Sequence, residues 1–235
     1  MSSSSDNQPP TVPESLRAYT NNSVKSHSVP CYPSRWETIF RQHKSIYQDL
    51  SDHVTRSGGL SRSFVHNHAS KGGDPIEVFL LSMVWGFGKI GYGPRKVAKM
   101  LEHPESDANI RTIVEVTRQE GASAGWSALL VENKVPDLGV SFGTKVLYFA
   151  GYSASHHLRP LVLDDNVRWS LYDLARGTVP PPGIRVVKQH YLDYLQLAKS
   201  WSVDPTWDQD PDVVEYGLFR LNGRYPVDVL IPASR

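Results

Sequence analysis

The sequence predicts an all-α protein, and three observations carry that prediction. Stretch after stretch places apolar residues at helical spacing. Several of these stretches open on helix-start signals: Asp74-Pro75, Asp164 and Asp210-Pro211. An aspartate at that place accepts the free N–H groups of the first turn, and proline suits the first helical position. The run Val78, Phe79, Leu81, Met83, Val84 to Trp85 is almost continuously apolar, as a helix at the buried centre of an α-helical domain would be. With 235 residues the chain can bury a sizeable core, in one domain or two closely packed lobes.

In chain order, residues 1–33 are rich in Ser, Pro and Asn with few apolar anchors, and read as disordered. The helical domain is expected over 34–235. Ser34 is a candidate cap for a helix through Trp36, Ile39, Phe40, His43, Ile46, Tyr47 and Leu50. Arg56 to Gly73 reads as a basic surface loop able to meet phosphates. The helix from Pro75 to Trp85 follows. After it, Gly86-Phe87-Gly88-Lys89-Ile90-Gly91 has dinucleotide-loop spacing, but that motif needs a preceding strand, and here a helix precedes it. A glycine-rich turn is expected instead. Pro94 starts a helix that is basic through Arg95, Lys96 and Lys99. Asn109 to Gly121 is amphipathic, and Ala124 to Leu130 is a short connecting helix. Val179 to Gly183 is a stiff crossover. Val187 to Trp201 and Val213 to Phe219 are the last helices, and the tail from Arg224 is extended and expected to pack back on the body.

Composition sets limits. A net charge of +1 places any nucleic-acid surface in a local patch. One cysteine, Cys31, excludes an internal disulfide and a four-cysteine iron–sulfur cluster. His156 and His157 adjoin in a loop without a third ligand at a recognisable spacing, so no metal is expected. No window is long and apolar enough to span a bilayer, which points to a cytoplasmic protein with no membrane partner.

The organising stretch runs from Leu138 to Trp169. A turn marked by Gly139 and Gly143 leads to a helix opening at Thr144, with Lys145 in its first turn and Val146, Leu147, Phe149 and Ala150 on its apolar side. Leu161-Val162-Leu163 returns to the core, and Asp164 caps the next helix, nineteen residues after Lys145. Asp165 offers the same chemistry one position later.

Val140-Ser141-Phe142-Gly143-Thr144-Lys145 and Leu163-Asp164-Asp165-Asn166-Val167 together resemble the helix-hairpin-helix DNA glycosylases, the superfamily of endonuclease III and 8-oxoguanine glycosylase. The likeness is greatest to bacterial proteins with an 8-oxoguanine glycosylase fold and covers about residues 75–220. It implies a two-lobed helical fold with the hairpin at about 136–152, an active site between the lobes, and a monomer acting on double-stranded DNA with a flipped base. It implies Lys145 as nucleophile and Asp164 as stabiliser of the sugar cation. Lysine attacks only as the free amine, a state that a helix N-terminus and an apolar surround favour. The same resemblance places Phe149 and Phe219 on either side of the extruded base and Glu215 at its Watson–Crick edge. Gly139, Gly143 and Thr144 would meet a DNA phosphate, with a monovalent cation assisting at the hairpin. Phe87, Lys89 and Tyr92 are the candidates to fill the gap left by the base. The expected function is excision of a modified, 8-oxoguanine-like base with abasic-site lyase activity. The alternatives are a defence glycosylase acting on hypermodified phage bases and a non-catalytic DNA-binding module; the Lys145–Asp164 pair argues against the second.

Overall fold

A computed structural model describes residues 11–154 and 156–222. Its elements are α1 (Asn21–Lys25), β1 (Ser28–Val29), α2 (Lys44–Ser57), β2 (Leu60–Ser61), α3 (Arg62–Ser70), α4 (Pro75–Phe87), α5 (Gly93–Leu101), α6 (Ser106–Glu120), α7 (Ala122–Ser127), α8 (Val140–Gly151), α9 (Asp165–Leu174), α10 (Lys188–Ser202) and α11 (Pro211–Leu221). The fold is all-α; β1 and β2 form only a two-residue antiparallel bridge, Ser28 opposite Ser61 and Val29 opposite Leu60.

Helix α4 is the axis of the molecule. Asp74 caps it through the Ile76 N–H, Pro75 opens it, and ten of its thirteen residues are buried. It packs on α3, α5, α6 and α8. A second group gathers around α11, which packs on α9, α10 and α1. The caps of α4 and α9 and the burial of α4 follow the sequence expectations.

Several boundaries differ. Disorder up to Pro33 is not what residues from 12 onward do. Glu14–Leu16 form a 3-10 turn, Leu16 and Val24 are buried, and Trp207 donates its indole N–H to the Tyr19 carbonyl. These few apolar side chains are enough because α11 receives them. Residues 1–10 and the tail from 223 lie outside the described residues. The helix expected from Ser34 begins only at Lys44; before it, successive turns with bonds such as Ile39 N–H to Trp36 O (2.9 Å) keep Trp36 and Phe40 inward. Half of the basic loop expected from Arg56 to Gly73 is α3, and its first two residues end α2. Ser61 caps α3, accepting from the Phe64 N–H at 3.2 Å, and the inner face of α3 includes Arg62 and His66 beside Val65 and Ala69. A helix whose buried face is half polar leaves no hydrophobic stripe to read.

Helix α8 starts at Val140, four residues before the expected Thr144. Gly143 lies within it, its N–H bonded to the Gly139 carbonyl at 2.8 Å. Glycine is needed at 143 for packing rather than turning, because a side chain there would collide with Leu129. Lys145 therefore sits in the second turn of α8, not the first.

Candidate active site

Two neighbouring pairs join the start of α8 to the start of α9. Thr144 is fully buried; its hydroxyl donates to the Val140 carbonyl at 2.8 Å and accepts the Leu163 N–H at 2.9 Å. One residue on, the Lys145 ammonium donates to Asp164 Oδ2 at 3.0 Å and to the Ser141 carbonyl at 3.1 Å. The Thr144–Leu163 staple thus fixes the register that brings Lys145 to Asp164. Asp164 has an extended backbone and its Oδ1 accepts the Val167 N–H at 3.2 Å, so one carboxylate oxygen caps α9 and the other faces the lysine. Asp165 is exposed and reaches Arg168 at 3.5 Å.

Lys145 is 5% exposed and lies over the Phe142 ring, 5.3 Å from its centroid. Gly86, at the end of α4, makes room for it: a Cβ there would stand 2.9 Å from Lys145 Cδ and from Phe142 Cε1. These groups line a cavity of about 290 Å³ that also touches Trp85, Phe219 and His27. The lysine and the carboxylate meet at its wall.

The structure brings Lys145, Asp164 and Phe219 to this one cavity, and leaves Phe149 and Glu215 out of its lining. Phe149 is buried, its ring 5.3 Å from that of Trp85 and edge-on to it. Glu215 is 1% exposed and ion-paired with the equally buried Arg62, whose guanidinium lies 5.0 Å from the Trp85 ring centroid. Burial pushes the Glu215 carboxyl up, and Arg62 pulls it back. Tyr148 joins the same network: its hydroxyl accepts from Arg62 Nη1 at 3.2 Å and donates to Asp212 Oδ2 at 3.3 Å. Burial, then Arg62, drop His66 to about 2.

The turn before α8 differs from a phosphate-binding hairpin in detail. Gly139 is exposed at the cap position, whereas Gly143 and Thr144 are buried within the helix. The carbonyls of Val135, Gly139 and Val140 each accept one hydrogen bond, which leaves each a second lone pair. A groove of about 660 Å³ runs past Gly139 with Lys96, Arg185 and Lys188 on its sides, and shares Ser141 and Phe142 with the lysine cavity. In the loop between α4 and α5, Lys89 is exposed and Tyr92 is 62% exposed, while Phe87 is buried and stacked on Phe142 at 4.2 Å.

Sequence reasoning missed Gly86, Arg62 and His27. None has a local signature: Gly86 was absorbed in a glycine-rich turn, Arg62 in an apparent loop and His27 in an apparently disordered segment.

The model of one protein family, described as "putative 8-oxoguanine DNA glycosylase OGG-like protein", matches residues 22–219. No curated protein and no solved structure matches the chain.

Proposed function

The chain belongs to the OGG-like family, described as "putative 8-oxoguanine DNA glycosylase OGG-like protein", and from that premise we propose that it excises a modified base from duplex DNA and then nicks the abasic strand. The observation that carries this reading is the 3.0 Å contact between Lys145 and Asp164 at the wall of a cavity. Duplex DNA lies along the Lys96–Arg185–Lys188 groove, where cations and the free N–H groups at the start of α8 meet phosphates. The loop carrying Lys89 and Tyr92 enters the duplex beside the extruded nucleotide. Flipping costs about a few kcal/mol, least for a damaged base.

As the C1′–N bond breaks, its electron pair leaves with the base and positive charge builds on the sugar. The Asp164 carboxylate stabilises that charge from a fixed position. Lys145 gives its proton to the departing base, and the amine then bonds to C1′. Loss of a proton from nitrogen and opening of the C1′–O4′ bond, with O4′ protonated, give a Schiff base. Removal of a C2′ proton expels the 3′ phosphate oxygen and nicks the strand. The contact with Ser141 O and the Asp164 carboxylate hold the lysine head in place before the sugar arrives.

The test is release of 8-oxoguanine from a synthetic duplex, followed by mass spectrometry of the free base. Wild type is expected to release the base and nick the strand. Lys145→Gln, of similar length and uncharged, is expected to bind the duplex and do neither; unchanged release and nicking by that variant would refute the assignment.

A further inference from the structure

Glu215, buried against Arg62, is not among the residues that line the cavity. Besides the lysine and its carboxylate partner, the cavity is lined by one imidazole, that of His27, from the segment between α1 and β1. Its ring is held among Tyr216, Trp85 and Phe219, with centroids at 5.0, 5.7 and 6.2 Å.

The tautomer of this ring follows from its partner. Arg62 Nε donates to His27 Nδ1 at 3.2 Å. A guanidinium has no lone pair to offer, so Nδ1 must accept and cannot carry the hydrogen. Arg62 is itself pinned by Glu215 and Tyr148, so the arrangement is fixed from below. In a neutral ring the hydrogen then resides on Nε2, for which there is no hydrogen-bond partner among the described residues. The ring is neutral at physiological pH: burial, then Arg62 and Arg220, bring His27 down to about 4.

We infer that His27 reads the extruded base, presenting a fixed uncharged Nε2–H donor that selects bases with a carbonyl oxygen on the edge facing it. This rests on the glycosylase reading above and supplies its substrate class. A sugar at Lys145 and Asp164 puts the attached base in the cavity that Trp85, Phe219 and His27 also line. A carbonyl oxygen, such as O6 of a guanine-type base or O4 of a uracil, completes the hydrogen bond. An amino group at the same place, as in adenine or cytosine derivatives, sets donor against donor and leaves both unpaired out of water. The buried Arg62–Glu215 pair acts here as a positioning device, setting the tautomer through Nδ1.

The experiment measures two rates in the same preparations. One is borohydride trapping on a duplex with a ready-made abasic site, which needs Lys145 but no base. The other is single-turnover release of 8-oxoguanine, hypoxanthine and uracil against 8-oxoadenine and 5-hydroxymethylcytosine, each in an otherwise identical duplex. Wild type should release the carbonyl-edged bases in preference to the amino-edged ones. In His27→Phe, release of the carbonyl bases should fall by about tenfold or more relative to trapping, the size expected for a lost hydrogen bond to a buried group. His27→Gln, whose amide can both accept from Arg62 and donate to the base, should recover most of that loss, which a packing defect would not allow. Release that falls no more than trapping in His27→Phe overturns the inference. So does a wild type that traps abasic DNA yet releases only amino-edged bases, or none; that outcome leaves the Lys145 assignment standing. A wild type that neither traps abasic DNA nor releases any base refutes the glycosylase reading itself, and this inference with it.

Discussion

Asp164 divides two duties between two oxygens. Oδ1 caps α9 at the Val167 N–H, and Oδ2 faces Lys145. Asparagine separates the duties, since it caps as well as aspartate but carries no charge. Asp164→Asn is therefore expected to keep the α9 cap and lose only the stability of the ion pair with Lys145, while its base release falls by on the order of 10² or more. Asp165→Asn, which gives up an exposed contact at 3.5 Å with Arg168, should have a far smaller effect on release. Single-turnover release beside a thermal melt checks both, and a larger loss in Asp165→Asn would move the carboxylate to the neighbouring residue. Lys145 and Asp164 were legible in the sequence because each has a local sign: a glycine-marked approach for one, a helix cap after an apolar run for the other. Gly86 and His27 were not, because their importance is a matter of what stands opposite them in space. The Gly86 backbone opens the space for Lys145, a residue 59 positions away.

Among the elements, α3 and α11 are joined through Arg62 and Glu215, two buried charges separated by 153 positions. Removing one partner leaves the other charged in an apolar surround. Glu215→Leu is expected to cost roughly 3–5 kcal/mol in denaturant unfolding, and Arg62→Leu with Glu215→Leu to regain a large part of it. Additive losses in the double variant would contradict the pairing. The histidines around this network add a pH dependence. His27 is held at about 4 and His66 at about 2, against an ordinary 6.5, mainly by burial. The folded state keeps both neutral while the unfolded chain takes up protons below 6.5. Their stabilising effect is thus complete above pH 6.5 and is lost as pH falls through about 4 for His27 and toward about 2 for His66. His66→Gln, which can still donate to the Tyr148 hydroxyl, should flatten the fall in stability between pH 7 and 5; an unchanged slope would place the titration elsewhere. The helices α4, α10 and α11 were legible from their apolar period, α4 also from its Asp74 cap and α11 from Pro211 in its first turn, although the Asp210 side chain makes no cap bond. Helix α3 was hidden because its inward residues include an arginine and a histidine, and the start of α8 because Gly143 serves contact with Leu129, which resembles a turn residue in sequence.

At the scale of the whole molecule, the segment that composition marked as disordered helps to build the site. Leu16 and Val24 are buried, α1 packs on α11, and His27 and Val29 line the cavity. A chain beginning at residue 34 would lose these contacts together. It is expected to unfold at a markedly lower temperature than the full chain and to lose base release; a truncated protein with full-length stability would contradict the packing of this segment. Its order was illegible because a handful of apolar residues among polar ones cannot fold alone, and only the distant face of α11 gives them a place. The all-α class, by contrast, needed no distant information. The Lys145–Asp164 pair remains the centre of the whole arrangement, with α4 making space for it, Thr144 setting its register and the N-terminal segment closing the cavity. The most direct measurement is borohydride trapping of the full-length protein on an abasic duplex, followed by proteolysis and mass mapping of the reduced adduct. The expected result is a sugar–DNA adduct on Lys145, absent from Lys145→Gln. An adduct on another residue, or undiminished trapping in Lys145→Gln, would contradict the account.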